Sequence, residues 1–220
     1  MKKALLGFIV LFAAFTASAQ QKISEGYISY SLEWNVPPQA QAMAANLPTE
    51  AKVYFKGDSA SMKVESQMFS TTSILNTKKE YERMLIDVPM MGKKFSVIFS
   101  PADQEKMADL MPQMSLKASA ENKAVLGYQA SKYTVSESKT NSTFEAWFTK
   151  DLDIVANPLS RFYDKSYGFP LEFTSFQNGM SVKAKVKEIK AATVPTGNFS
   201  ASKDYEEISF DQLMQMNGRR

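Results

Sequence analysis

The chain has 220 residues, 44% of them hydrophobic and 22% charged, with 26 basic side chains against 23 acidic ones. That is ordinary globular usage and excludes a disordered or collagen-like chain. Cysteine and histidine are both missing, which excludes disulfides, thiol nucleophiles, imidazole bases and the usual zinc and haem ligand sets.

The first residues carry an address. Met1-Lys2-Lys3 is a short basic start, Ala4 to Phe15 is an almost unbroken apolar run, and Ala17-Ser18-Ala19 supplies the small-x-small pattern of a cleavage site. Residues 1–19 therefore read as a secretory signal peptide, too short for a membrane span, and residues 20–220 as a single mainly-β domain. No later stretch is apolar enough for a transmembrane segment, and no cysteine stands at the cleavage site to take a lipid. The expected location is the bacterial periplasm, with release outside the cell as the alternative. Losing Lys2 and Lys3 takes the basic side chains from 26 to 24 against 23 acidic ones. A chain so balanced has no field to attract nucleic acid.

After the leader the dominant period is two. Ile28, Tyr30, Leu32 and Trp34 share one side of a predicted strand, and Val53/Phe55 and Ala60/Met62/Val64 continue the pattern across Gly57-Asp58, a tight-turn signal. Between Pro37-Pro38 and Pro48, the spacing of Ala40, Met43, Ala44 and Leu47 predicts a short helix. Phe95/Val97/Phe99 alternate again. Ser100-Pro101-Ala102-Asp103 then reads as a helix start whose stripe is Met107, Leu110, Met111 and Met114, with Pro112 ending regular helix before Met114. Gly127 is expected to break or bulge the segment from Lys123 to Val135. Phe144/Ala146/Phe148, Phe169/Leu171/Phe173 and Met180/Val182/Ala184/Val186 are further strands, the last two joined by the hairpin signal Asn178-Gly179. A last helix capped by Ser209 should turn Phe210, Leu213 and Met214 inward and stop at Asn217-Gly218. About nine or ten such strands predict a sandwich, a barrel or one curved antiparallel sheet.

The succession Val125-Leu126-Gly127-Tyr128 … Lys132-Tyr133-Thr134-Val135, then Phe144-Glu145-Ala146-Trp147-Phe148-Thr149, then Gly168-Phe169-Pro170-Leu171-Glu172-Phe173 resembles a family of exported bacterial domains of unknown function. That family is related to the periplasmic lipoprotein-carrier (LolA-like) superfamily. The resemblance covers residues 123–186 and implies a curved antiparallel half-barrel with a few short helices over its concave side. In the carriers that side holds acyl chains; no position here matches a carrier functional residue.

Thirteen methionines occur, six of them in residues 84–114. Core filling is the common role of methionine; the same residues on a helix above a concave sheet would wall a pocket for varied apolar ligands. A copper(I) thioether site lacks the histidine or cysteine that usually completes it. Asp151-Leu152-Asp153 and Asp164 read as turn formers before they read as paired acids. Ser136-x-x-Lys139 and Ser200-x-x-Lys203 have serine–lysine spacing but fall in strand or loop sequence. Lys183, Lys185 and Lys187 read as the solvated face of a strand or a protected edge. Tyr27, Tyr30, Trp34, Tyr128, Tyr133 and Trp147 read as core or cross-strand partners.

The leading expectation is a non-enzymatic periplasmic binding protein that takes a lipid or acyl chain between sheet and helices. Met90, Met91, Phe95, Met107, Leu110, Met111 and Met114 would be its apolar lining. No catalytic residue, metal ligand or cofactor is assigned. The alternative is a cell-envelope interaction or structural module with no small ligand.

Overall fold

The computed structural model describes residues 21–66, 69–139, 141–177 and 179–218; the expected signal peptide lies outside them. Its elements in order are β1 (Gln21–Lys22), β2 (Glu25–Asn35), α1 (Gln41–Ala44) behind a 3-10 turn at Pro38–Ala40, β3 (Glu50–Lys56), β4 (Ser59–Glu65), β5 (Ser70–Asn76) and β6 (Tyr81–Val88). After a 3-10 turn at Pro89–Met91 come β7 (Lys93–Phe99), α2 (Pro101–Leu110), β8 (Met114–Val125), β9 (Tyr128–Glu137), β10 (Thr143–Thr149) and β11 (Leu152–Asp153). The chain closes with β12 (Phe169–Gln177), β13 (Met180–Ala191), β14 (Glu206–Glu207) and α3 (Phe210–Gly218).

Twelve strands form one curved, unclosed sheet in the order β14-β7-β6-β5-β4-β3-β2-β13-β12-β10-β9-β8. All neighbours are antiparallel except β14 on β7. Two meanders, β2–β7 and β8-β9-β10-β12-β13, are thus zipped together by β2 against β13. Regular alternation along β2 and β3 fixes their register, because a one-residue slip would turn their apolar side chains to water. The cross-strand partners Phe55/Ala60, Val53/Ile28, Tyr30/Val186, Leu32/Ala184 and Phe173/Ala184 line up one apolar face from strand to strand.

The chain over residues 150–168 proves that this face is concave. Its Arg161 pairs with Glu82 of β6 at 2.6 Å, while Tyr163, two residues on, donates its hydroxyl to the Thr174 carbonyl of β12 at 2.6 Å. On a flat sheet those strands lie six spacings apart, about 29 Å. Residues two apart reach both only if the sheet curls around them. This cover also brings Ile154, Leu159 and Tyr163 into the main core with Tyr30, Phe55, Phe148, Leu171 and Phe173. Tyr163 meets Phe148 and Phe173 edge-on, at 5.2 and 5.7 Å between ring centres.

One half of the convex face has a cover of its own. Val194 donates its N–H to Glu25 at the start of β2, and ten residues later Asp204 reaches Lys94 of β7 at 2.6 Å. Residues 192–205 therefore run as a strap across β3–β6, and Ser61, Ile74, Leu85 and Ser96 are buried on that side. The chain then rounds the β7 edge, where Ile208 donates to the Ser96 carbonyl. There α3 docks on the concave side, with Phe210 and Leu213 against Val97 and Phe99.

Several expectations shift in detail. Of the two roles expected of Gly127, it takes the break and not the bulge: with Leu126 it forms the two-residue β8–β9 turn, both at positive φ (85° and 53°), and the irregularity sits between Ala118 and Asn122. The Pro37–Pro48 helix shrinks to a 3-10 turn and four α-helical residues. In α3 Met214 faces out at 44% exposure, because one turn on the β7 edge buries only Phe210 and Leu213. Gly168 has a positive φ of 98°, and a Cβ there would stand 2.3 Å from the Thr149 carbonyl oxygen; no other residue fits the turn into β12.

Candidate functional site

The described side chains among the proposed lining residues lie in several parts of the fold. Met107 packs from α2 into the small core of Val97, Phe99, Phe210 and Leu213. Met114 is the first residue of β8 and packs against the main core. Phe95 is half-buried on β7, and Met111 is the half-buried C-terminal cap of α2. Leu110 ends that helix. Helix α2 starts as its sequence predicts, with the Ser100 hydroxyl accepting from the Asp103 N–H and the Asp103 carboxylate accepting from the Ser100 N–H. It stops at Leu110 before Pro112, so the predicted four-residue stripe is split between a helix, a cap and a strand.

Met90 and Met91 do something else. They occupy the 3-10 turn at the tip of the β6–β7 hairpin and are 82% and 68% exposed. Gly92, in the left-handed region, closes the turn with its N–H on the Pro89 carbonyl. The neighbouring β4–β5 hairpin ends at the same side of the sheet. There Phe69 is 36% exposed, and its carbonyl accepts from both the N–H and the hydroxyl of Ser66. Between the two tips lies an open groove of about 470 Å³ lined by Lys63, Glu65, Ser70, Asp87, Val88, Lys93 and Lys94, among others. A broader depression of about 1020 Å³ shares Lys63, Glu65 and Ser66 with it and extends past Pro48–Lys52 to Lys187 and Glu188.

The charges around the groove are largely tied down. Lys63 pairs with Glu65 at 2.5 Å and Lys94 with Asp204 at 2.6 Å. Lys94, together with the Ser202 hydroxyl, holds the Asp204 carboxyl down at about 2. Asp87 accepts from the Tyr205 hydroxyl at 3.0 Å, and burial, then that carboxylate, pushes the Tyr205 hydroxyl up to about 12. Beneath the concave cover, Asn157 is fully buried and its amide donates to the Tyr30 hydroxyl at 3.0 Å. Burial raises the Tyr30 hydroxyl well above the ordinary phenol range, so this contact does not titrate near neutrality.

The other candidates have structural partners. The Asp151 carboxylate accepts from the Gln129 N–H, and Asp164 caps the 3-10 turn at Lys165–Tyr167. Lys183 and Lys185 face glutamates on the adjacent strands, Glu33 on β2 and Glu172 on β12, and Lys187 reaches Glu50 on β3, two strands away. Strand β13 is central, so these lysines protect no edge. Ser136 is an exposed strand residue, and Ser200 and Lys203 lie in the strap, so neither serine–lysine pair starts a helix. Tyr30 is core. Trp34, Tyr128, Tyr133 and Trp147 pack against that core, and Tyr27 meets Tyr54 edge-on across strands.

Fold and surface thus define a mainly-β protein built on one curved, open sheet whose two apolar hairpin tips flank a charged groove. No known family profile and no curated sequence matches the chain. Among solved structures it is similar to PNGF-II in space group C2, with a TM-score of 0.54 at 16% identity over 88% of this chain. The match spans 32% of that protein, about a third of its length, and shows a shared fold alone.

Proposed function

We propose that the protein is a non-enzymatic binding module of the bacterial cell envelope that works through the apolar end of its sheet. The observation that carries this is the exposure of Met90 and Met91, 82% and 68%, at the tip of a regular hairpin. Side chains in that position add nothing to the core, and thioethers adapt well to apolar partners of varied shape. The leader pattern of residues 1–19 supports placement in the envelope. Sedimentation with an isolated envelope fraction tests the proposal. A Met90→Ser/Met91→Ser variant should lose most of the pelleted protein; equal pelleting of variant and wild type would remove the tips from the function.

A second reading, an apolar ligand beneath residues 150–168, is supported by the composition of the concave face and by its cover. That cover is mostly irregular chain, clasped by Arg161–Glu82 and Asn157–Tyr30. In this reading the cover lifts, and the resemblance to the lipoprotein carriers extends to cargo. Native mass spectrometry of gently released protein decides it: a reproducible, solvent-extractable lipid mass supports the reading, and failure to take up added lipid rejects it.

A further inference from the structure

Resting on the reading of the hairpin tips as the interacting end, we propose that their partner is the surface of a phospholipid bilayer with zwitterionic headgroups. Met90, Met91 and Phe69 enter its acyl region, and the groove behind them meets the headgroups.

The shape of the tips argues for lipid over protein. At about 200 Å² per large side chain, exposures of 82%, 68% and 36% present roughly 350–400 Å² of apolar surface. A stable protein interface needs about 800 Å² on each partner, shaped to fit. The three side chains sit on two separate turns, so they form projecting points with a groove between them. A protein partner would need matching sockets, whereas a fluid acyl layer closes around each point. Methionine, unbranched and flexible, loses little on entering such a phase.

The charges select the headgroup. The groove wall offers Lys63, Lys93 and Lys94 against Glu65 and Asp87, and Lys94 is further engaged by Asp204. Lys63 pairs with Glu65 and Lys94 with Asp204, and the remaining Lys93 and Asp87 are of opposite sign, which leaves little net field to draw an anionic surface. A wall carrying both signs complements a headgroup carrying both, an ammonium beside a phosphate. Affinity then comes from the inserted side chains. It should be modest and reversible, as for a single short lipid anchor.

Vesicle flotation of the full chain without its leader tests the proposal, with vesicles of phosphatidylethanolamine and phosphatidylcholine and a second set enriched in phosphatidylglycerol. Wild type should float with the zwitterionic vesicles. Partition should change by less than about twofold between low and high salt, and fall by about tenfold or more in Met90→Ser/Met91→Ser. Phe69→Ser should give a smaller loss in the same direction. Circular dichroism should show all variants folded, since the replaced side chains are exposed. Binding confined to phosphatidylglycerol vesicles and abolished by salt would overturn the proposal in favour of lysine-driven attraction. Equal flotation of the double variant would overturn it outright. If wild type ignores vesicles yet still pellets, tip-dependently, with envelope and not with protease-stripped envelope, the lipid partner is wrong and the tips remain the binding end. If no tip dependence appears with vesicles or envelope, both fall.

Discussion

Asn157 is the residue on which the concave cover turns, and Asn157→Ala is the sharpest perturbation of the fold. Its side chain is fully buried; the amide donates to the Tyr30 hydroxyl at 3.0 Å, and the oxygen accepts from the Leu159 N–H at 3.0 Å. Ser160 keeps a second acceptor, the Asn157 backbone carbonyl at 3.0 Å, after truncation; the Leu159 N–H does not share that bond. One buried N–H is thus orphaned, at about 1–3 kcal/mol, and the Tyr30 hydrogen bond is lost, at about 1 kcal/mol. The expected cost is about 2–4 kcal/mol. Tyr30→Phe removes only the shared bond and should cost about 1–2 kcal/mol. The double variant should fall short of additivity by about 1 kcal/mol, because both substitutions delete the same contact. Urea unfolding followed by circular dichroism measures all three, with hydrogen exchange at the Leu159 amide as a local report. An Asn157→Ala variant within about 0.5 kcal/mol of wild type would refute the assignment of this residue as the anchor of the cover.

Gly168→Ala should destabilise by about 3 kcal/mol or more, since an added Cβ meets the Thr149 carbonyl oxygen at 2.3 Å at a φ of 98°; a Tm shift below that of an exposed-loop alanine would contradict the close approach. Phe210→Ala should cost about 3–5 kcal/mol by emptying the site beside Phe99, 5.6 Å away between ring centres, and should speed hydrogen exchange in α3. Faster exchange spread evenly over β9–β13 would contradict the separate small core. Asp204 carries a depressed folded-state pKa of about 2, chiefly through Lys94. Its contribution is therefore complete above the ordinary carboxylate range and lost as pH falls toward about 2. In Lys94→Met, NMR titration should find this carboxyl shifted back upward; an unchanged titration would show that Lys94 does not hold it.

Much of the fold was legible because alternation is a geometric property of a half-buried strand. Ile28/Tyr30/Leu32, Phe144/Ala146/Phe148 and Val182/Ala184/Val186 all bury the side their spacing assigns. The cap at Ser100 and the stop before Pro112 were equally local signals. What sequence could not supply was which of two apolar roles a residue plays. Met107 and Met91 look alike in a list of methionines, yet one is pinned between β7 and α3 and the other projects from a turn. The distinguishing mark was nearby: Pro89 and Gly92 bracket Met90-Met91 as a turn, and a turn at a hairpin tip has no core to face. The curvature was hidden for another reason. It rests on pairings such as Arg161 with Glu82, 79 residues apart, which no local period encodes.

Oxidation footprinting of the methionines, read by peptide mass spectrometry on free and envelope-bound protein, asks whether the β6–β7 hairpin tip is the binding end. In the free protein Met90 and Met91 should oxidise fastest, Met214 and Met216 more slowly, and Met62 and Met107 slowest, in the order of their exposure. Binding should protect Met90 and Met91 while leaving Met214 and Met216 unchanged. Protection that bypasses the hairpin tip would remove it from binding, and Met107 oxidising as fast as Met91 in the free protein would overturn the placement of the two side chains.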